Sequence, residues 1–189
     1  MAKDKHYHEE LVAHHLTRPL LAEKGAEFKQ HFPWIEGPLV AIMMGEHINA
    51  KKTKELAECL VAIGKNYPKI TFFICPSRRT GRAKENLCDE LYELTDPSRT
   101  FFQKISRARG FEGKLRRAFL ALQETEERQK IALKNISIID IDYDNAIRNY
   151  NPYLGLLANA DHIVVAGQSF SLVSEALFTG KNIYLYHPD

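Results

Sequence analysis

Several polar residues near the C-terminal end of the sequence have the chemistry to hold a phosphate group. Gly167, Gln168 and Ser169 directly follow the apolar run at residues 163–166. If a helix begins there, its free backbone N–H groups and nearby hydroxyls can donate hydrogen bonds to phosphate oxygens. A carboxylate one turn later can accept hydrogen bonds from ribose hydroxyls. The other members of this predicted cradle are Ser171, Ser174 and Glu175.

Helix capping explains the same residues without any ligand. Ser169 or Ser171 would then be the N-cap, because a serine hydroxyl accepts a hydrogen bond from a free N–H group of the first turn. Glu175 would be favourable near the positive end of the helix dipole. Spacing alone leaves the ligand cradle and the cap as equal alternatives.

A pair of arginines is the second candidate for anion binding. Ser77, Arg78, Arg79 and Thr80 follow the apolar run at residues 70–75. Adjacent guanidinium groups can bind a phosphate or a carboxylate bidentately. A solvated basic turn is the alternative, but we favour binding because this turn and the turn at Gly167 are expected at the same edge of a sheet.

A third turn, Gly45-Glu46-His47, follows the apolar run at residues 39–44 and is expected at that same edge. We place Gly45 with the binding residues. His47 is a weak candidate for acid–base catalysis, because an imidazole titrates near neutral pH. A structural role for this single loop histidine is the alternative.

These turns need a scaffold that brings them together, and the alternation of apolar runs with helical patterns predicts one. Buried strands are indicated at residues 39–44, 70–75, 136–141, 163–166 and 183–186. Helices are indicated at residues 18–32, 52–65, 84–94 and 115–133, in a short segment ending near Ala160, and in a segment ending at Thr179. Short apolar runs without polar alternation are typical of strands buried on both faces. The predicted fold class is α/β, a Rossmann-like, doubly wound, mostly parallel sheet of about five strands.

We predict two parts in the chain: an N-terminal helical segment or linker at residues 1–36 and a Rossmann-like nucleotide-binding lobe at residues 37–189. Four apolar residues of the first part could share one helix face: Leu20, Leu21, Phe28 and Phe32. Because this helix precedes the first strand, we expect it either to pack poorly on its own sheet or to dock through that face on another element or chain.

Composition limits the classes of partner. Of the 189 residues, 44% are hydrophobic and 26% are charged, and the formal net charge is +2. The hydrophobic and charged fractions are ordinary for a globular protein. The net charge is too small to imply a nucleic-acid or membrane surface. The basic stretch at residues 104–117 could bind RNA or an acidic membrane face, although a solvated loop is the simpler explanation. We therefore expect no nucleic-acid partner and keep peripheral membrane contact as an alternative.

Cysteine and histidine spacing predicts no metal site. Cys59, Cys75 and Cys88 lie in no CxxC or ligand spacing, which indicates reduced, mostly buried thiols. The histidines near the N-terminus and the aspartates at positions 140, 142 and 144 also lack the spacing of a metal site. The sequence shows no signal core and no apolar run as long as a membrane span, so the predicted localisation is cytoplasmic.

Three motifs in register, at residues 77–80, 151–154 and 169–176, carry a resemblance to a known family. In the region of residues 38–187 the chain resembles the plant elongated-mitochondria fission-protein family and its bacterial relatives. That family looks like a two-lobed glycosyltransferase fold of the GT-B type. The strand, turn and helix that end in Ser-Glu-Ala, with Thr-Gly-Lys downstream, are similar to the nucleotide-binding lobe of the UDP-GlcNAc transferase and 2-epimerase group.

The resemblance implies that the chain is the C-terminal lobe of a GT-B fold and forms a donor-nucleotide site. The implied ligand is a nucleoside diphosphate-sugar, with no covalently bound cofactor, and the implied partner is a missing N-terminal lobe or a second chain. The chain departs from the family at two turns. The family usually has a Gly-Gly type turn in place of Gly45-Glu46-His47, and an aspartate in place of Gln168.

Two functions of different classes follow. The first is a nucleotide-sugar-binding lobe, part of a glycosyltransferase or a related sugar-nucleotide enzyme, in which N–H donors and arginines hold the diphosphate. The second is a non-catalytic interaction module of the same fold that serves assembly or membrane remodelling. Gln168 in place of aspartate favours the second slightly, and the sequence leaves open whether the protein is an enzyme.

Overall fold

The described part of the chain forms one sheet with helices on both faces. The structure is a computed structural model that describes residues 14–67, 69–95, 131–133, 136–141 and 150–186. Its strands are β1 (Leu39–Met44), β2 (Ile70–Pro76), β3 (Ile131–Leu133), β4 (Ile136–Asp140), β5 (His162–Ala166) and β6 (Asn182–Tyr186). Its helices are α1 (Arg18–His31), α2 (Ala50–Asn66), α3 (Ala83–Thr95), α4 (Tyr153–Asn159) and α5 (Phe170–Thr179).

The strand order is β3-β4-β2-β1-β5-β6. Strands β4, β2, β1, β5 and β6 run parallel, and β3 pairs antiparallel with β4 at the edge. All six residues of β1 and the first six of β2 are buried, as strands covered on both faces require. The predicted α/β, Rossmann-like, doubly wound and mostly parallel sheet is confirmed.

Two hydrophobic clusters occupy the two faces of the sheet. On one face, Leu60 of α2 and Leu87 of α3 are buried in a cluster with Ile42 and Phe72. On the other face, α1, α4 and α5 contribute to a cluster that contains Ala41, Phe73 and Val165. Alternate residues of β1 therefore face opposite helix layers, which is the period-two arrangement of a central strand.

Helix α1 packs on the sheet rather than away from it. Leu21, Phe28 and Phe32 are buried, whereas Leu20 is only half-buried. The rings of Phe28 and Phe32 lie 5.7 and 5.1 Å from the ring of Phe73 in β2. The expectation that this helix packs poorly on its own sheet is wrong. Its apolar face also docks on another element, α4, where Gly155 lies against Phe28. The division of the chain at residues 36 and 37 stays a prediction.

One predicted helix includes residues that form a strand. The helical pattern predicted at residues 115–133 is wrong for residues 131–133, which form β3, with Ile131 paired to Ile138 and Leu133 to Ile136. Hydrogen bonding to the neighbouring strand outweighs the local helical spacing here, because β-branched and apolar residues gain from pairing at a sheet. The rest of that pattern and the basic stretch at residues 104–117 lie outside the described residues. Among the described helices, none combines the length and the hydropathy needed to cross a membrane.

Candidate functional site

The three polar turns lie together at the carboxyl edge of the sheet. In the strand register, Met44 of β1 lies beside Pro76 of β2 and Ala166 of β5. The backbone N–H of Gly45 donates to Ala166 O at 2.7 Å, and that of Ser77 donates to Met44 O at 3.1 Å. The prediction that the turns at Gly45, Ser77 and Gly167 share one edge is therefore confirmed. We call residues 45–47, 77–80 and 167–171 the turn cluster.

The turns after β1 and β5 are hydrogen-bonded to each other through their backbones. The N–H of Gln168 donates to Glu46 O at 2.9 Å, and the N–H of Glu46 donates to Gln168 O at 3.3 Å. Gly167 has a positive φ of 84°, and a Cβ added there would lie 2.4 Å from Glu46 O. A Cβ on Gly45 would lie 2.8 Å from Gln168 O. Both glycines are therefore needed for the close approach of the two turns.

The same hydrogen bonds limit which N–H groups a phosphate could receive. The N–H of Gly167 donates to Tyr186 O at 2.8 Å, so the N–H groups of Gly45, Gly167 and Gln168 are all directed to the protein itself. Phe170 and Ser171 begin α5, where the geometry of a helix leaves the first N–H groups without an intrahelical acceptor. The donor role predicted for this stretch is therefore best served by Phe170 and Ser171.

Ser77 and Thr80 hold the second turn in shape. The buried Thr80 hydroxyl donates to Met44 O at 2.7 Å and accepts from the N–H of Ser77 at 2.8 Å. The Ser77 hydroxyl lies 3.2 Å from Thr80 Oγ1 and accepts from the N–H of Arg79, also at 3.2 Å. These hydroxyls anchor the loop to β1, and the neighbouring side chains of Arg78 and Arg79 are left exposed.

The charged side chains of the turn cluster differ in their partners. Arg79 Nη1 lies 3.3 Å from Glu46 Oε1, and His47 Nε2 lies 3.8 Å from Glu46 Oε2. Arg78 has no ion pair within the described part of the chain, and Arg82 is a further exposed guanidinium in the same loop. The His47 side chain is 68% exposed, and its backbone has a positive φ of 63°. Within the turn cluster, Arg78 is therefore the guanidinium that is open to an anionic ligand, and Glu46 is the group in contact with His47.

The start of α5 combines a helix cap with an exposed aromatic ring. Ser169 is the N-cap, and its hydroxyl accepts a hydrogen bond from the N–H of Leu172 at 3.4 Å. The Oγ atoms of Ser169 and Ser171 lie 3.3 Å apart. The cap alternative is therefore correct for Ser169. Ser174 is buried. Phe170 is 75% exposed between the two serines, and it was not among the residues predicted for the site although it lies inside the motif.

Glu175 is engaged by a residue from another helix. Its carboxylate accepts a hydrogen bond from the hydroxyl of Tyr153, at the start of α4. Burial, and then the hydrogen bond to Glu175, raise the pKa of the Tyr153 phenol. The N–H of Tyr153 donates to Asn151 Oδ1 at 3.0 Å, but the N-cap position is Pro152. The side chain of Asn151 therefore supports the start of α4 through a local turn, one residue before the N-cap.

We expect Tyr153→Phe to lower the free energy of unfolding by about 1–3 kcal/mol, because it leaves the half-buried Glu175 carboxylate without this donor. Urea denaturation at pH 7 measures the loss. Glu175→Gln is the matched control, since its amide oxygen can still accept from the Tyr153 hydroxyl. Equal stability of Tyr153→Phe and the wild type would contradict the prediction.

The raised pKa also gives the sign of a pH effect at this pair. The folded protein holds the phenol proton more tightly than the unfolded chain, so its contribution to stability is complete below about pH 10 and declines above it. This alkaline decline should be smaller in Tyr153→Phe.

The two buried thiols, Cys75 and Cys88, are poor nucleophiles, whereas Cys59 is exposed. Burial raises the pKa of Cys75 to about 12. Burial, and then the charge of Asp140, raise the pKa of Cys88. The chemistry that the turn cluster supports is therefore anion binding by a guanidinium, by helix N–H groups and by hydroxyls, at the positive end of a helix dipole.

Comparison with known proteins gives two matches. The family model described as mitochondrial fission ELM1 matches residues 121–189, which include the turn at Gly167 and all of α5. Uncharacterized protein RP120 of Rickettsia prowazekii (strain Madrid E) is 41% identical over 49 residues, covering 26% of this chain and 12% of that protein. No solved structure matches the chain. The resemblance to the mitochondrial fission family is confirmed over the matched residues.

Proposed function

We propose that this chain, similar over residues 121–189 to the mitochondrial fission ELM1 family, is a GT-B-like nucleotide-sugar-binding lobe of a glycosyltransferase or a related sugar-nucleotide enzyme. The observation that carries the proposal is the placement of Arg78 and the start of α5 at one sheet edge. In open α/β sheets, ligands bind outside the carboxyl ends of the strands. β1 and β5 are neighbours in space but distant in sequence, as at a topological switch point.

Each part of such a ligand would meet different residues of the turn cluster or of the adjoining helices α4 and α5. The diphosphate would accept hydrogen bonds from Arg78 and from the N–H groups of Phe170 and Ser171. To bind a ribose hydroxyl, the Glu175 carboxylate would have to accept its hydrogen bond in addition to that of Tyr153, or lose the hydrogen bond from Tyr153. These groups would stabilise the negative charge of a leaving diphosphate through position and electrostatics rather than by covalent catalysis.

We expect Arg78→Ala to weaken binding of a nucleoside diphosphate roughly ten- to hundredfold, because a charge-assisted contact is worth about 1.5–3 kcal/mol. Calorimetry with UDP, GDP and ADP on the 189-residue chain measures the change. Lys54→Ala is a suitable control, since it removes one exposed positive charge on α2. Equal affinities for wild type and Arg78→Ala would contradict the proposed site.

The second function, a non-catalytic interaction module of the same fold, is favoured by a separate set of observations. Gln168 replaces the usual acidic residue, and its N–H group is already bonded to Glu46. Among the described residues, the ion pair of His47 is with Glu46, which is itself paired with Arg79. If none of the three nucleotides binds, this module becomes the better proposal.

A further inference from the structure

Glu46 places a negative charge inside the candidate anion site. Its carboxylate lies 3.3 Å from the guanidinium of Arg79, one of the two arginines assigned to phosphate binding. The other carboxylate oxygen lies 3.8 Å from His47 Nε2. A phosphate that binds Arg79 would therefore have to approach the Glu46 carboxylate, which already forms an ion pair with that guanidinium.

The backbone beneath this carboxylate is fixed. Glu46 exchanges two backbone hydrogen bonds with Gln168, at 2.9 and 3.3 Å. The missing side chain of Gly167 allows Glu46 O to approach closely. Glu46 therefore cannot leave the turn cluster without breaking the contact between the β1 and β5 turns, so only its side chain is free to move.

We propose that Glu46 is an internal competitor for the anion site: its carboxylate occupies Arg79 in the free protein, and an anionic ligand binds by displacing it. The proposal rests on the proposed function and adds a competing contact that regulates ligand affinity at the same site. An exposed ion pair contributes little to stability, so this exchange is feasible. The Arg79 side chain is 72% exposed, which is consistent with a weak pair.

The competition predicts different roles for the two arginines. Arg78 is open in the free protein, so its contact with an anion requires no exchange. Arg79 must first lose its ion pair with Glu46 before it can contact the anion. In the wild type, Arg79→Ala should therefore cost less affinity than Arg78→Ala.

The test is a double-mutant cycle on the 189-residue chain with Glu46→Gln, Arg79→Ala and the combined variant. Calorimetry with UDP and inorganic diphosphate at constant ionic strength gives the affinities. We expect Glu46→Gln to bind both anions about three- to tenfold more tightly, since it removes the competing charge. The gain should disappear in the combined variant. Glu58→Gln, which removes an exposed charge on α2, should bind like the wild type.

Each other outcome overturns the proposal in a distinguishable way. A gain that persists without Arg79 would show simple charge repulsion rather than competition for that guanidinium. Unchanged affinity in Glu46→Gln, with binding retained, would remove the competition and leave the proposed function intact. An absence of binding in every variant, Glu46→Gln included, would overturn both proposals.

Discussion

Replacing Gly167 with alanine is expected to lower the free energy of unfolding by about 3–4 kcal/mol, because two costs add at this position. The backbone has a φ of 84°, a conformation that side chains disfavour. The new Cβ would also lie 2.4 Å from the backbone oxygen of Glu46 and 2.7 Å from Cγ1 of Ile48. Relief of this clash requires the β1 and β5 turns to separate. Urea denaturation followed by circular dichroism measures the loss.

Two other glycines isolate the backbone cost from the clash. Gly81 and Gly180 have φ values of 58° and 72°, and a Cβ on either would meet no atom within 4 Å. Gly81→Ala and Gly180→Ala should therefore cost only about 1–2 kcal/mol, the cost of the left-handed conformation itself. If Gly167→Ala is no more destabilising than these controls, the close contact between the two turns does not add to the cost of a side chain at this position.

Strands β1 and β2 could be predicted because they are buried. β1 and β2 have helices on both faces, so their sequences are apolar throughout and contrast with the polar turns that follow. The burial predicted for residues 183–186 is wrong, because β6 lies at the edge of the sheet with Tyr184 and Leu185 exposed. β3 could not be predicted in this way. It has three residues, too few to show a period, and its state depends on pairing with β4.

The position of the site was predictable from topology, but the contacts within it were not. Parallel strands have their carboxyl ends at one edge, so three turns after three strands had to be neighbours. The hydrogen bond from Tyr153 to Glu175 depends on how α4 packs beside α5, and no local pattern reports that packing. The same holds for the ion pair of Arg79 with Glu46, because a sequence does not show which of several nearby charges meet.

For helix α1, the buried residues were predictable but their contacts were not. Its amphipathic spacing correctly indicated that Leu21, Phe28 and Phe32 are buried, but the surface that covers them could not be predicted. Gly155 of α4 supplies part of that surface, since a Cβ there would lie 2.5 Å from Cβ of Phe28. Small residues at a helix contact look unremarkable in a sequence, although they decide how closely two helices approach.

We expect Phe28→Ala to lower the free energy of unfolding by about 3–5 kcal/mol, because it opens a cavity between α1, α4 and the sheet. Phe28 is buried and its ring lies 4.7 Å from Phe32 and 5.7 Å from Phe73. Trp34, the single tryptophan of the chain, follows α1 and lies 5.5 Å from the Phe32 ring. Its fluorescence reports on this region, whereas circular dichroism reports on all helices and strands.

If α1 is an integral part of the domain, the two signals should change together in urea, as in a single cooperative transition, and Phe28→Ala should shift both. Phe28→Leu should shift both by less, and it gives a milder variant should the alanine protein fail to fold. Phe170→Ala is the matched control, since that ring is exposed and its loss should change stability by less than about 0.5 kcal/mol. A shift of the Trp34 transition alone would instead show that α1 unfolds independently, and residues 1–36 would then be a separate segment.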